Sequence, residues 1–335
     1  MDKLRALEYF NRAVDLGSFA AAARACHVST AAVTQLIGGL ERELGATLFR
    51  RSPRGLVLTA EGERYHETAH AVMQALAEAE QRLAPRGATP RGTITVGFRQ
   101  QLGQLYITPQ LARFLARYPD IELVFKPVTS IGELEPRMID VAVLIGWPAR
   151  SDYVVRILGE TQLFVCAAPE YWQRAGTPRH PEDLHMHHCM VLRSSGGTLL
   201  DQWSFAKGSE QCTIDVRARV FSDEGGMLVG AALGGAGVVR ASDIVLTPHL
   251  DSGRLVRVLT DWTALEAPLV YATYPSRHRR SPVVRAFVQF LEEVFAGKAE
   301  GTSLRRAYPA IRPPEWFGKT QGRQSAYAAR HKRRQ

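Results

Sequence analysis

The stretch CHVSTAAVTQL, residues 26–36, is an uncharged run of small side chains in a chain whose formal net charge is +9. His27 and Val28 interrupt a helical pattern and Ser29 is a favourable helix N-cap, so the sequence predicts two short helices joined by a tight turn. The second helix presents small polar groups outward, which suits an element that enters the major groove of DNA and meets base edges. A small helical bundle without nucleic acid is the alternative that these helices alone leave open.

The segments on either side extend this pattern into a small domain with a basic edge. Gly17 is expected to end a first helix, and Ser18 is a good N-cap for the next one. On the third helix, apolar residues at 4-3-4 spacing predict an inward face of Val33, Ile37, Leu40 and Leu44. Residues 44–62, LGATLFRRSPRGLVLTAEG, then form a basic turn between two strand-like pieces, which is the pattern of a wing.

These residues closely resemble the N-terminal domain of LysR-type transcriptional regulators. The matching elements are Gly17-Ser18-Phe19, Ala21-Ala22-Ala23, Val28-Ser29, Ala32-Val33, Ile37, Leu40-Glu41, Leu44-Gly45, Leu48-Phe49-Arg50-Arg51 and Leu58-Thr59-Ala60-Glu61-Gly62. The resemblance implies a winged helix-turn-helix DNA-binding domain over residues 1–58. The sequence departs from the family at Gln35-Leu36, where a polar or basic pair is usual, and at Gly38, where a long side chain is common. For that reason no base contact is assigned to Leu36.

Eight residues are candidates for contact with double-stranded promoter DNA. The outer face of the third helix is expected to read bases, and the arginines of the wing to hold phosphates or the minor groove. The candidates are Ser29, Thr30, Ala31, Thr34, Gln35, Arg50, Arg51 and Arg54.

A long helix is predicted from Thr59 to about Leu83, within a linker assigned to residues 59–87. Its apolar residues repeat at 4-3-4-3-4 spacing, the rhythm of a two-stranded coiled coil. Packing on the chain's own core would show a wider stripe, so the spacing favours a dimer contact, and the resemblance implies a homodimer or homotetramer. The predicted dimerisation residues are Tyr65, Ala69, Val72, Leu76, Ala79 and Leu83.

Residues 88–297 alternate between strand and helix patterns, which predicts an α/β fold with parallel sheets. The alternation occurs twice, and a short helix is expected at residues 133–138 and one strand at residues 213–220. Two such units imply two lobes with a cleft between them. The region resembles the two-lobed, periplasmic-binding-protein-like effector domain of the same family. The residues that carry the resemblance are Gly92 to Gly97, Asp140-Val141-Ala142, Leu158-Gly159-Glu160, Cys166-Ala167-Ala168-Pro169, Pro181-Glu182-Asp183-Leu184 and Gly253-Arg254-Leu255-Val256.

The ends of the predicted strands supply the candidate effector residues, because ligands of such folds bind beyond the carboxyl ends of strands. They are Arg99, Gln100, Gln101, Thr129, Ser130, Trp147, Ser222 and Arg240. Two arginines among small polar groups favour an anionic effector, a carboxylate in particular, with Trp147 over an apolar or aromatic part. The competing interpretation is that Arg99 and Arg240 are solvated or paired with acids such as Asp223 and Glu224.

Residues 298–335 hold 10 basic and 2 acidic side chains together with scattered prolines, glycines and serines. This composition predicts a disordered basic tail. The tail either has no task or raises non-specific affinity for DNA through counterion release.

Other features of the sequence argue against an enzyme and against an exported protein. The 4 cysteines lie far apart without a CxxC pair, which suits reduced thiols in a cytoplasm, and we expect neither an export signal nor a membrane span. The segment HPEDLHMHHC, residues 180–189, lacks the paired ligand spacing of a zinc site. No phosphate-binding loop, dinucleotide fingerprint or nucleophile elbow is present, so neither a cofactor nor a metal is expected.

Three classes of function account for part or all of these features. A solute-binding protein would explain the two-lobed half alone, and a DNA-processing enzyme would need metal-binding carboxylates at a recognisable spacing. A ligand-responsive, sequence-specific regulator that binds palindromic promoter DNA explains both halves. RNA polymerase is a further candidate partner of such a regulator.

Overall fold

The computed structural model describes residues 2–52, 55–83, 89–135, 137–148, 152–194 and 197–296. The contacts divide the chain into two compact units. One unit holds residues 1–92 with the short segments 135–138 and 280–283, and the other holds the remaining described residues. The tail predicted at residues 298–335 lies outside the described residues. The predicted linker helix belongs to the first unit.

The N-terminal unit consists of four helices and a β-hairpin. In chain order they are α1 (Lys3–Leu16), α2 (Phe19–Ala25), α3 (Thr30–Leu44), β1 (Phe49–Ser52), β2 (Gly55–Leu58) and α4 (Ala60–Leu83). The predicted caps are confirmed, because the hydroxyls of Ser18 and Ser29 accept from backbone amides at the starts of α2 and α3. Gly17 and Gly45 end α1 and α3 with left-handed backbone, at φ 61° and 63°.

The turn between α2 and α3 depends on a residue in an unusual backbone conformation. His27 has φ 54°, a left-handed value that costs energy for a side chain with a Cβ. The amides beside it stay satisfied, since Val28 donates to the carbonyl oxygen of Ala23 at 2.9 Å. This turn is what redirects the chain from α2 into α3.

The core of this unit is built on aromatic side chains. The Phe10 ring lies 5.2 Å from that of Phe49 and 5.5 Å from that of Tyr65, so α1 contacts both the wing and α4. The predicted inward face of α3 is confirmed at three positions, Val33, Ile37 and Leu40, which are buried. The prediction for Leu44 is wrong. Leu44 lies in the last turn, where α3 runs past the core before Gly45, and it is 37% exposed.

Two local constraints fix the hairpin against the helices. A carboxylate oxygen of Glu41 on α3 accepts from the amides of Leu48 and Phe49, at 2.7 and 3.2 Å, where the chain enters β1. Gly62 on α4 packs directly on the carbonyl oxygen of Leu48, and a Cβ at this position would overlap that oxygen. Glycine is therefore required for the close approach of α4 to the wing.

The second unit contains most of the strands. They are β3 (Gly92–Phe98), β4 (Ile121–Pro127), β5 (Val141–Gly146), β6 (Tyr153–Glu160), β7 (Leu163–Ala167), β8 (Cys189–Leu192), β9 (Gln202–Lys207), β10 (Glu210–Asp215), β11 (Ala218–Ser222), β12 (Val238–Ser242), β13 (Val256–Val258), β14 (Thr263–Ala264) and β15 (Leu269–Pro275). Its helices are α5 (Gln100–Leu102), α6 (Leu111–Arg117), α7 (Pro169–Ala175), α8 (Gly225–Leu233), α9 (Asp243–Asp251) and α10 (Pro282–Ala296). None of the helices among the described residues is long and apolar enough to span a membrane.

The strands form two five-stranded sheets, which confirms the prediction of two lobes. The first lobe has strand order β4-β3-β5-β15-β6 and the second β11-β8-β12-β7-β13. The sheets are mixed rather than parallel as predicted. In each lobe the strand contributed after a crossover, β15 in the first and β7 in the second, runs antiparallel to its neighbours because it enters from the opposite end.

Some elements of the second unit differ from the sequence-based expectation. A small antiparallel sheet, β10-β9-β14, was not predicted, and the strand expected at residues 213–220 is divided between β10 and β11. The missed signal is a short turn, Gly208-Ser209, between two alternating segments, with Gly208 at φ 60°. In place of the helix expected at residues 133–138 there is a 3-10 turn at Ile131–Glu133, and residue 136 lies outside the described part.

Candidate DNA interface and effector cleft

The outer face of α3 is exposed and carries no formal charge. Thr30, Ala31, Thr34 and Gln35 are all exposed, whereas Leu36 packs against the core and so could not face a base. The hydroxyl of Thr34 donates to the carbonyl oxygen of Thr30 at 2.9 Å, which leaves it as an acceptor. Gln35 presents both an amide donor and an amide acceptor, the combination that recognises adenine in the major groove.

The start of α3 and the wing flank this face. Ser29 is exposed, and its hydroxyl accepts from the amide of Ala32 at 3.1 Å, so it acts as the helix cap. Arg50 is exposed on β1 opposite Val57, and Arg51 pairs with Leu56 in the hairpin register. The third predicted arginine, Arg54, lies outside the described residues.

The first residues of the predicted dimer seam on α4 pack against the core of their own unit. Ala69 is 1% exposed and belongs to the core, and the ring of Tyr65 meets Phe10 edge-on. The seam prediction is therefore corrected at Ala69, which is buried before any second copy approaches. Farther along α4, Val72 is 42% exposed and Leu76 and Ala79 are half-buried. Leu83 is the last residue of the helix.

In the second unit, Arg99 lies at the end of β3 and bridges the two lobes. Its Nη2 donates to the carbonyl oxygen of Thr129 at 2.9 Å, within the first lobe. Its Nη1 donates to the carbonyl oxygen of Asp223 at 3.2 Å, in the loop after β11 of the second lobe. Among the described residues, the partners of the guanidinium are thus two backbone carbonyl oxygens rather than a carboxylate.

The hydroxyls at the end of β4 are already engaged by a carboxylate of the same chain. One oxygen of Glu133 accepts from the amide and the hydroxyl of Thr129, both at 2.8 Å, and from the amide of Ser130 at 3.0 Å. The predicted effector residues Thr129 and Ser130 therefore form an anion-binding nest that Glu133 fills.

The other wall of the cleft is the start of α8. The hydroxyl of Ser222 accepts from the amide of Glu224 at 3.0 Å, and the Glu224 carboxylate accepts from the amide of Gly226 at 3.1 Å. Gln101 reaches this helix from the first lobe, because a Cβ on Gly226 would lie 3.0 Å from its Cδ. Gln100 is exposed beside it, and Trp147 is half-buried after β5.

Arg240 is held in a buried ion pair within its own chain, which argues against its assignment as an effector residue. Its Nη1 lies 3.0 Å from Oε2 of Glu266, and the two side chains are 7% and 6% exposed. The guanidinium also lies over the Trp203 ring at 5.0 Å from its centroid. Burial lowers the pKa of Arg240, and the Glu266 carboxylate opposes that shift. The competing interpretation of a paired arginine is the right one here, with Glu266 as the partner.

The histidine-rich segment 180–189 has structural contacts in the second lobe. His187 is buried against the rings of Tyr171 and Trp172, and this burial lowers its pKa. Burial also raises the pKa of the Cys166 and Cys189 thiols to about 12, which keeps them protonated and unreactive. Within the described part of the chain, no three histidine, cysteine or acidic side chains are grouped so that they could hold a metal.

A four-helix unit with a wing and an exposed helix after a tight turn, together with a two-lobed α/β unit, defines a DNA-binding regulator with a sensing domain. Residues 4–63 match the model of the bacterial regulatory helix-turn-helix protein, lysR family, and residues 87–296 match the LysR substrate binding domain. The chain belongs to the LysR family of transcriptional regulators. It is a regulator with an effector-binding domain, not an enzyme.

Several transcriptional regulators are similar to this protein over most of its length. An HTH-type transcriptional regulator of Xanthomonas campestris is 33% identical over 84% of this chain and 82% of its own length. The transcriptional activator TtdR of Escherichia coli is 30% identical over 83% of this chain and 89% of its own. Among solved structures, CrgA of Neisseria meningitidis has 29% identity and a TM-score of 0.57, covering 87% of this chain and 98% of its own.

Replacing Arg240 with methionine is expected to lower the free energy of unfolding by about 3–5 kcal/mol, because the Glu266 carboxylate would remain buried without its partner. Combining Arg240→Met with Glu266→Leu should restore most of this loss, since both charges leave the interior together. Urea unfolding followed by tryptophan fluorescence measures the change. The control is Lys207→Met, which breaks an exposed pair with Asp261 and should cost less than about 1 kcal/mol. Equal losses for Arg240→Met and Lys207→Met would contradict the role assigned to the buried pair.

Proposed function

We propose that this LysR-family regulator reads palindromic promoter DNA with the outer face of α3 and responds to a small anionic effector in the cleft of its second unit. The observation that carries the proposal is the exposed, uncharged face of α3 beside the exposed Arg50 of the wing. Small polar side chains fit the floor of a major groove, and guanidinium groups belong at the phosphates. Action in the cytoplasm and contact with RNA polymerase are part of the same proposal.

The DNA contacts are expected to divide into two kinds. Gln35→Ala should change the relative affinities of operator variants by about 1–3 kcal/mol at one base pair, because a bidentate base contact is lost. Arg50→Ala should weaken operator and random DNA alike and reduce the slope of log affinity against log salt by about 1. Both are measured by fluorescence anisotropy with DNA from upstream of the protein's own gene.

Arg64→Ala is the control for the loss of one positive charge, since Arg64 is exposed on α4 and lies 3.2 Å from Glu61. It should leave the preference among operator variants unchanged. If Gln35→Ala reduced every affinity by the same factor, Gln35 would not be a base-reading residue.

A dimer through α4 is proposed from the length of this helix. Its 24 residues would extend about 36 Å. The core of its own unit packs against the helix at Tyr65, His66, Ala69 and Met73. Val72 is exposed within that span, Leu76 and Ala79 follow it at the same apolar spacing, and a second copy could cover all three. A two-fold axis along this seam would match a palindromic operator.

Leu76→Asp should convert the protein to monomers in sedimentation velocity and abolish tight operator binding, because a charge would be buried in the seam. The matched control is Ala71→Asp, an exposed position outside the seam. A Leu76→Asp protein that sediments as a dimer and binds the operator like the wild type would refute the proposed seam.

The effector proposal depends on Arg99 and its neighbours at the ends of β3 and β5. These strands are parallel neighbours with Phe98 opposite Val143, so their carboxyl ends lie at one edge of the sheet. Arg99 follows Phe98 directly, and the half-buried Trp147 follows β5. A guanidinium binds a carboxylate with two parallel charge-assisted hydrogen bonds, and an indole ring covers an apolar or aromatic group.

Calorimetry on the full chain with small carboxylic acids and their matched amides tests this proposal. The best acid should bind at least about tenfold more tightly than its amide, a difference of about 1.4 kcal/mol. Arg99→Ala should remove that preference, whereas Arg156→Ala, an exposed arginine on β6, should keep it. Preference for amides, or unchanged acid binding by Arg99→Ala, would overturn the anionic effector.

A further inference from the structure

The Arg99 side chain spans the cleft, and its backbone is fixed by hydrogen bonds on both sides. Its backbone amide donates to the carbonyl oxygen of Val143 on β5 at 3.4 Å, and its carbonyl accepts from the amide of Gly103 at 3.0 Å. Gly103 lies directly on the Phe98 ring, where a Cβ would overlap the ring atoms. The turn that carries Arg99 is therefore held against both the sheet and the segment that follows it.

The acceptor on the second lobe, the carbonyl oxygen of Asp223, also lies in a hydrogen-bonded segment. Asp223, whose carbonyl oxygen receives Nη1, lies between β11 and α8. On either side of it, the Ser222 hydroxyl binds the Glu224 amide, and the Glu224 carboxylate binds the Gly226 amide. A change at the Asp223 carbonyl is thus passed to the first turn of α8.

A second bridge between the lobes lies next to a crossover. The Tyr106 hydroxyl donates to the carbonyl oxygen of Ile244 at 2.6 Å, and both groups are buried. Asp243, the preceding residue, donates its amide to the carbonyl oxygen of Gln162 in the crossover at 2.7 Å. The Arg99 bond uses other residues of both lobes, because it joins the carboxyl ends of β3 and β11. The Tyr106 bond can therefore persist while the Arg99 bond breaks.

The hydrogen bonds of Arg99 are of a kind with which an anion can compete. Both acceptors are neutral carbonyl oxygens, whereas Thr129 and the amide of Ser130 already bind the Glu133 carboxylate and the amide of Gly226 binds that of Glu224. A carboxylate binds a guanidinium more strongly than a neutral carbonyl does, because both partners carry full charge. An anion that enters the cleft would therefore bind more favourably to Arg99 than to the donors already bound to carboxylates.

We propose that Arg99 is an interlobe latch, which holds the first turn of α8 through the Asp223 carbonyl and which an anionic group releases by taking its Nη1. The identity of the releasing ligand rests on the effector proposed above, but the latch itself does not. A ligand of this class would act by exchanging a bond between the lobes for a bond to itself, and so would free the start of α8 to move.

Hydrogen–deuterium exchange on the full chain, without effector or DNA, tests the latch. In wild type the amides of Glu224 and Gly226 are hydrogen-bonded, and their exchange requires local opening. Arg99→Ala should raise the exchange rate of a peptide over residues 222–232 at least about threefold, since that opening becomes easier. Arg99→Lys, which can reach one carbonyl at a time, should give an intermediate rate and keeps the test valid if the alanine variant folds poorly.

Arg156→Ala is the control for the loss of an arginine in the first lobe and should exchange like the wild type in the same peptide. The peptide that contains Tyr106 should be unaffected in all variants, because its bridge is separate. Wild-type exchange rates at residues 222–232 in both Arg99 variants would overturn the latch.

The releasing ligand is tested separately by adding acetate or benzoate to the wild-type protein. Faster exchange at residues 222–232, approaching that of Arg99→Ala, supports release by a carboxylate. Slower exchange in the presence of a bound acid would mean that the acid closes the lobes, and would overturn release. If none of the carboxylic acids in the calorimetry above binds while Arg99→Ala still exchanges faster, the anionic effector fails and the latch stands.

Discussion

The second unit depends on the point where the chain passes twice between its lobes. There Thr161 donates from its amide and its hydroxyl to the carbonyl oxygen of Pro268, at 3.0 and 2.8 Å, and joins the two crossovers. Each lobe then receives one strand from beyond a crossover, β7 or β15, which makes both sheets mixed. The buried pair of Arg240 and Glu266 holds the second crossover against the second lobe. With the crossovers fixed, the ends of β3 and β11 are brought close enough for Arg99 to reach Asp223.

The N-terminal unit meets a different constraint. Its helix α3 needs small side chains on the exposed face and large apolar side chains packed into the core on the opposite face. Val33, Ile37 and Leu40 provide that packing, and Glu41 fixes the entry to the wing. Gly38, on the same helix, has open space around it and weakens the helix by about 1 kcal/mol relative to alanine. The core and the caps at Ser29 and Gly45 offset this weakness, so α3 forms despite it.

Sequence reasoning succeeded where the decisive contacts are local. The caps at Ser18 and Ser29, the glycine ends of α1 and α3 and the apolar spacing of α3 as far as Leu40 involve neighbours within a few positions, and the chain folds as they predict. It failed where a partner lies far along the chain. Arg240 finds Glu266 across 26 positions, and Arg99 finds the carbonyl of Asp223 across 124. Ala69 shows a second kind of failure, because coiled-coil spacing does not distinguish a partner helix from the chain's own core.

The cleft carries several hydrogen-bond donors, whose partners differ in charge. Because of that difference, one side chain is the most favourable site for an anion. Thr129 and Ser130 bind the Glu133 carboxylate, and the first turn of α8 binds the Glu224 carboxylate, so an external anion would have to displace a full charge at either place. At Arg99 it would compete only with neutral carbonyl oxygens. An anion therefore gains most at Arg99, and the internal glutamates repel it elsewhere. Selectivity of the proposed effector site for anions would consequently depend on the same residue that bonds to both lobes.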